Sequence, residues 1–138
     1  MASENPNVTI LQNVYSKWHK TKGDPSVVLE ILADEIRWGS AADGKPGMDF
    51  AKKRASKEEV AGYFQELVNE WSMEFFHVNE MVAQGGRVVV LCECSWTNKR
   101  TGKSITLPKV DVWYLENGVA TEFMEYFDTH AAVEAATA

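Results

Sequence analysis

Leu107-Pro-Lys-Val-Asp111-Val-Trp-Tyr-Leu115, then Glu116-Asn-Gly118, then Val119-Ala-Thr-Glu-Phe123-Met-Glu125-Tyr-Phe127 form two apolar runs around a three-residue turn signal. Two strands joined by a tight turn pair as a hairpin, and the side chains of each strand alternate between faces. Asp111 and Glu125 each fall in mid-run among large hydrophobes. A carboxylate is costly to bury there as a free charge. Either the two face water on the open side of a sheet, or they face a cavity and carry chemistry. The run pattern leaves both readings open.

Working outward, the residues before the hairpin read as two more strands. These cover Met73 to Ala83, turned at Gly85-Gly86, and Arg87 to Asn98, turned around Thr101-Gly102. Val88, Val90, Cys92, Cys94 and Trp96 share one face, as do Ile105, Leu107, Lys109, Asp111 and Trp113 in the next strand. Upstream, Asn5-Pro6 reads as helix cap and first helical residue, and Val8, Leu11, Val14, Tyr15 and Trp18 recur at helical spacing. Asp24-Pro25 starts a short second helix with Val28, Leu29 and Leu32 on its inner side, and Asp34 closes the pair. Glu35 to Ser40 is a short strand. The stretch from Ala41 to Ala55 reads as a mobile flap, with Gly44 and Gly47 giving freedom and Met48 and Phe50 closing on an apolar ligand. Ser56-Lys-Glu-Glu59 has capping-box form. The helix after it buries Val60, Phe64, Leu67, Val68 and Trp71. Thr129 caps a short C-terminal helix, Ala131 to Ala136, expected to fray. Helices, strand, helix and a four-stranded antiparallel meander make an α+β fold, with three N-terminal-half helices gathered on one face of a bent sheet.

The chain has 138 residues and a formal net charge of −6, which fits a single domain over 1–138. The acidic balance argues against a nucleic-acid partner, which needs a basic surface. Lys52-Lys-Arg54 is the only basic run and reads as a solvated loop. No apolar stretch of membrane length and no signal segment is expected, which makes a cytoplasmic location the default. Cys92 and Cys94 point the same way on one strand and read as small core hydrophobes, not a bridge. His19, His77 and His130 are too dispersed for a metal site.

The closing residues Tyr114-Leu-Glu-Asn-Gly118 and Val119 to Asp128-Thr129 resemble the hydrophobic-x-x-Gly and Tyr-Phe-Asp ending of the nuclear transport factor two-like superfamily, in its SnoaL-like, limonene-epoxide-hydrolase-like and ketosteroid-isomerase-like branches. Leu32-Ala-Asp-Glu-Ile-Arg-Trp38 resembles the family's helix-to-strand junction, and Tyr15 with Lys22-Gly-Asp24 the end of its first helix. The resemblance implies a cone, a bent sheet wrapped around a pocket and closed by helices. It places Trp38, Ser40, Phe76, Cys92, Cys94, Trp96, Lys109, Asp111, Phe123 and Glu125 on the inward face. It puts Glu125 at the acid/base aspartate of the cyclases and hydrolases. Asp111 falls at the protonated aspartic acid of the isomerases, and Tyr15 near their oxyanion tyrosine. Ser40 stands where the isomerases carry their general base. Cys92 and Cys94 stand where the hydrolases carry an arginine and an aspartate. Both of those routes lack a residue here.

The remaining chemistry follows from charge. Two carboxylates on neighbouring strands of a dry pocket cannot both ionise cheaply, so at least one should titrate high. One acid and one base near neutrality is what proton abstraction beside a carbonyl needs. Lys109 either neutralises Asp111 or donates to a developing oxyanion, with Tyr15 as a second donor. Trp38, Trp96, Trp113 and Phe123 supply flat walls for a ring-shaped ligand. Three functions fit. One is a cofactor-independent cyclase, isomerase or dehydratase acting on a small hydrophobic carbonyl compound. Another is a non-catalytic hydrophobic-ligand binder. The third is an interaction or dimerisation domain in which the outer sheet face matters and the pocket is incidental. Without turnover, Asp111, Lys109 and Glu125 would form a satisfied buried ion network. Val89, Leu91, Val110, Val112, Tyr114 and Met124 make an outer sheet face apolar enough to expect a homodimer.

Overall fold

The computed structural model describes residues 5–138. Helix α1 spans Pro6–Lys20, and the side chain of Asn5 caps it by accepting the Asn7 amide. It stops where Lys22 and Gly23 adopt left-handed φ values of 56° and 99°, with the Gly23 amide donating back to the Trp18 carbonyl at 3.0 Å. Then come α2 (Ser26–Leu29), β1 (Leu32–Ser40), a 3₁₀ turn (Asp49–Ala51), β2 (Arg54–Ser56) and α3 (Lys57–Glu70). The chain finishes with β3 (Trp71–Gln84), β4 (Arg87–Asn98), β5 (Ser104–Glu116), β6 (Val119–Phe127) and α4 (Thr129–Ala135).

The sheet order is β2-β1-β6-β5-β4-β3, open at both edges. β3 to β6 form the antiparallel meander, and β1 joins it by lying parallel to β6. The β5–β6 turn has Asn117 and Gly118 at φ 51° and 79°, the paired left-handed residues that match the twist of a tight hairpin. Register shifts interrupt the β3–β4 ladder at Met73/Phe75 and Val78/Glu80 and the β5–β6 ladder at Tyr114/Leu115. Such irregularities bend strands. Trp38 of β1 and Phe76 of β3, far apart in strand order, consequently line one interior hollow. The expected inner faces hold: Val88, Val90, Cys94, Leu107, Asp111, Trp113, Phe123 and Glu125 are all buried.

Four local expectations are corrected. Leu32 belongs to β1, opposite Ala120, because α2 runs out after one turn and the Ala120 amide bonds the Ile31 carbonyl at 2.8 Å. Trp71 opens β3 opposite Asn98 and is not part of α3. The segment 41–55 is fastened down and not a loose flap. Ala42, Met48, Phe50 and Ala51 are buried, and β2 pairs with β1. The Arg54 guanidinium, itself buried, donates to the Phe50 carbonyl at 3.1 Å and the Glu59 carbonyl at 3.2 Å and pairs with Glu66. Finally, α4 is anchored. Asp128 accepts the Ala131 amide at 3.0 Å, and Ala132, Ala135 and Ala136 are buried. The β4–β5 turn presents Arg100 to the Ala136 carbonyl and Lys103 to the Thr137 carbonyl. Cations at a helix C-terminus are favourably placed.

Arg54→Ala should free the segment 41–55, because the Phe50 and Glu59 carbonyls and the Glu66 carboxylate lose a shared donor together. Amide exchange at Phe50, Ala51 and Lys52 should quicken, and stability should fall by about 2 kcal/mol. Exchange as slow as in the wild type would show that apolar packing alone holds the segment.

Candidate active site

Burial of charge organises the interior. On the β5–β6 ladder Asp111 lies directly opposite Glu125, with 2% and 1% of their surfaces exposed. Strand alternation places Lys109 on the same face, two residues from Asp111. Its ammonium bonds Asp111 Oδ1 and lies 3.0 Å from Glu125 Oε1. It also sits above the rings of Phe76 and Phe123, at 5.5 and 5.7 Å from their centroids, an arrangement favourable to a cation.

Two phenols complete the cluster. Trp113 Nε1 can only donate, and it donates to the Tyr15 hydroxyl at 2.9 Å. The Tyr15 proton therefore goes to Asp111 Oδ2. On the other side Tyr63 Oη donates to Glu125 Oε1 at 2.9 Å. Every carboxylate oxygen of the pair is thus held, except Glu125 Oε2, which is buried and without a protein partner.

This direction of bonding revises one expectation. Tyr15 stands in the cluster, but its only proton is committed to Asp111, so it positions that carboxylate and does not donate to a ligand. Lys109 keeps a third hydrogen beyond its two carboxylate partners.

Burial raises the Asp111 carboxyl above the ordinary aspartate value; Lys109 opposes this and Glu125 adds to it. Burial by itself would lower the Lys109 ammonium, but Asp111 and Glu125 outweigh it and hold the group well above the usual lysine range. Burial, then Asp111, pushes Tyr15 well up, and burial, then Glu125, does the same to Tyr63. Burial also pushes Cys94 up to about 11 and raises Cys92. Neither thiol is a nucleophile at neutral pH.

The cluster faces a hollow of about 80 Å³. Tyr15, Lys109, Asp111 and Glu125 line it, and so do Trp38, Phe76, Cys94, Trp96, Trp113 and Phe123. Ser40 and Cys92, expected there, are buried but do not reach it. The Ser40 hydroxyl turns to the following loop and accepts the Ala42 amide at 3.2 Å. The Cys92 thiol donates across the ladder to the Lys109 carbonyl at 3.2 Å. Tyr63 was missed from the sequence. It sits between Val60 and Leu67 at helical spacing on the buried face of α3, a signal that could have placed it inside. Trp38 stacks on Phe123 at 3.9 Å, and Phe50 packs its edge on Tyr63 at 5.5 Å. The segment 41–55 therefore supports Tyr63, and through it Glu125. Among the described residues no cluster of ligating side chains could hold a metal ion.

The open six-stranded α+β sheet has the ketosteroid-isomerase-like fold. A SnoaL-like domain model matches residues 12–123, and the chain belongs to that family, within the nuclear transport factor two-like superfamily. No functionally curated protein matches the chain. Among solved structures, it is similar to an NTF2-like protein of unknown function from Burkholderia pseudomallei, at 28% identity over 98% of this chain and 100% of that one, with a TM-score of 0.84. TerC, co-crystallised with polyporic acid, is 21% identical over 97% and 100% of the two chains, with a TM-score of 0.81. A ketosteroid-isomerase-like protein from Catenulispora acidiphila, in complex with trimethylamine, is 11% identical over 92% and 91%, with a TM-score of 0.74. The last two likenesses establish fold alone. Further neighbours carry provisional names of isomerase and SnoaL-like polyketide cyclase. No helix of the described residues is long and apolar enough to cross a membrane.

Tyr15, Tyr63, Lys109, Cys92 and Cys94 all keep their protons to higher pH folded than unfolded. The folded state therefore binds more protons than the unfolded one from about pH 8 upward, first at the thiols and then at the phenols and the ammonium, and stability falls as pH rises. Each group contributes a slope of up to about 1.4 kcal/mol per pH unit. Melting temperature should hold to about pH 8, decline from there and fall steeply above about pH 10. In a Tyr15→Phe/Tyr63→Phe variant the fall should be shallower; an unchanged slope would place the alkaline transition elsewhere.

Proposed function

We propose that this chain is a cofactor-independent acid/base catalyst of the isomerase, cyclase or lyase kind, acting on a small hydrophobic carbonyl compound. One observation carries the reading. Glu125 lines the hollow, and its Oε2 is buried without a protein partner while Oε1 is fixed by Tyr63 and Lys109. Buried polar atoms are rarely left so. A fixed carboxylate with one free oxygen is the arrangement a general base needs.

In the proposed reaction the substrate carbonyl accepts the third hydrogen of Lys109. Glu125 Oε2 takes a proton from the adjacent carbon. The resulting enolate oxygen is neutralised by the lysine ammonium. Return of the proton to another atom of the conjugated system gives an isomer, and attack by the enolate carbon on a second carbonyl gives a ring. Asp111, tied to Lys109 and Tyr15, holds the ammonium in place and does not itself exchange protons with substrate.

A second reading, binding without turnover, draws on the completeness of the other bonds: Asp111 has a donor on each oxygen. The two readings separate on Glu125→Gln. On the catalytic reading, solvent deuterium exchange into the α-position of small cyclic enones should drop by roughly 10²–10⁴-fold in that variant, with folding intact. A changed melting temperature with unaltered exchange would leave only the binding role.

The proposal places the protein in the cytoplasm as a homodimer. Val89, Val112 and Met124 align across three strands, and Leu91, Val110 and Tyr126 form a second row beside them. Tyr126 is 48% exposed. Two apolar rows on one side of a sheet suit pairing with their own copy about a twofold axis. Sedimentation should give twice the chain mass at micromolar concentration, reverting toward the monomer in Val112→Lys. A monomeric wild type would remove the dimer from the proposal.

A further inference from the structure

The walls of the hollow are held unequally. Trp96, Ile105 and Phe127 are half-exposed, while the other apolar residues that line it are buried. Trp96 pairs with Ile105 near the β4–β5 turn, and Phe127 ends β6. These three mark the mouth. Helix α4 lies across it. The helix leaves β6 at Asp128, contributes Ala132 to the lining, and ends against the β4–β5 turn. There Arg100 donates to the Ala136 carbonyl, the Thr101 hydroxyl to the Ala135 carbonyl, and Lys103 to the Thr137 carbonyl.

The other covers are seated by large side chains. α1 supplies Val14, Tyr15 and Trp18, and α3 supplies Tyr63, Phe64 and Leu67. The segment 41–55 supplies Met48 and Phe50 and is tied down by the buried Arg54. α4 supplies one methyl group, and its buried side chains are the alanines 132 and 135, with Ala136 just beyond. Burial stabilises in proportion to apolar area, so this seat is the weakest. At seven residues the helix is too short to persist by itself. What holds it is a catch of bonds from Arg100, which is exposed, and Thr101, which is half-exposed. Water competes for such bonds. Elements with little buried apolar surface and exposed hydrogen bonds are the first to open.

We propose that α4 is the door of the hollow, hinged at Asp128, and that Arg100 and Thr101 are its catch. The hollow, at about 80 Å³, is smaller than a cavity of ~150 Å³ that accommodates benzene, so a ring-sized occupant needs a wall to move. Swinging α4 aside withdraws Ala132 and uncovers Trp96, Ile105 and Phe127. The charged cluster stays in place, because none of the bonds among Tyr15, Tyr63, Lys109, Asp111 and Glu125 involves α4. The door has a use because the hollow is read above as a ligand site, but its movement is measurable without a ligand.

Cys94 supplies the readout. It lines the hollow opposite Leu107, one inward step from Trp96 and Ile105. Alkylation by iodoacetamide at pH 8, followed at Cys94 by mass spectrometry, should be slow in the wild type. It should be about tenfold faster in Arg100→Met/Thr101→Val, which removes two of the bonds to α4. A lock should act in the opposite sense. A Cβ built on Gly47 would lie 3.1 Å from the Ala136 Cβ, a few tenths of an ångström short of the ~3.5–4.5 Å that a disulfide spans. In Gly47→Cys/Ala136→Cys, Cys94 should label at least tenfold more slowly oxidised than reduced. Comparing two forms of one variant cancels the strain of a side chain at φ 74°. Cys92, outside the hollow with its thiol on the Lys109 carbonyl, should stay unlabelled throughout. Labelling of Cys92 in step with Cys94 would mean that the sheet itself opens, and an unchanged rate in the Arg100/Thr101 variant would mean entry elsewhere; either result overturns the door. Should that variant not fold, equal rates in the oxidised and reduced forms of the lock overturn it. Failure of the acid/base reading shows separately, in the Glu125→Gln exchange comparison.

Discussion

The Lys109 ammonium between Asp111 and Glu125 is the constraint on which the rest of the interior depends. Removing an ion from water costs several kcal/mol even after relaxation. Two carboxylates facing each other across a ladder would add repulsion to that cost. One cation bonded to both offsets much of it, since attraction at such range in a partly screened interior is worth roughly 4 kcal/mol per pair. The position of the cation is itself determined, because β5 alternation puts Lys109 and Asp111 on one face and cross-strand pairing brings Glu125 opposite. Taking the lysine away would leave two buried carboxylates without a counter-charge, the situation that makes broken buried pairs so destabilising.

Around this triad the hydrogen bonds have a direction, and the direction divides the labour. Trp113 gives to Tyr15, and Tyr15 gives to Asp111. Donors that approach the ionised form favour it, while burial favours the neutral one. Asp111 is raised on balance, yet its oxygens are both occupied. A proton there would have to displace a donor. Glu125 offers the opposite case: one oxygen is fixed by Tyr63 and Lys109, and the other is buried without a protein partner. Two carboxylates that look alike in sequence are thus made unlike by their neighbours.

Most of the fold, and part of the triad, were legible in the sequence for a reason of geometry. A strand's period is two, so a charged residue in an apolar run carries its face with it. That put Lys109 and Asp111 on one face; Glu125 joined them only through the family resemblance, because alternation does not say which faces of neighbouring strands meet. What could not be read depends on register and rotamer. Ser40 and Cys92 lie at inward positions, yet the hydroxyl of one turns to a loop amide and the thiol of the other to a strand carbonyl. Tyr63 comes from a helix, where spacing predicts burial but not which strand residue the phenol meets. β2 is three residues long, and its Arg54 ties the preceding turn to α3. The segment 41–55 read as mobile because its glycines are local signals, while its anchor is a tertiary one.

The departures from related pockets bear on the course of the chemistry as well as its site. The resemblance set Ser40 at a general-base position and Cys92 and Cys94 at charged ones; here the Ser40 hydroxyl is engaged with the Ala42 amide, and burial raises both thiols. No second free carboxylate remains in the hollow. On the proposed chemistry, a single oxygen on the β6 wall must both take a proton and return it. A base fixed on one wall reaches only one face of a flat ligand. Removal and return of the proton should therefore occur on the same face of the substrate. Pathways that need an acid and a base on opposite faces lack their second group in this interior. That restriction comes from where the orphan oxygen sits, and the fold, shared by many chemistries, does not by itself impose it.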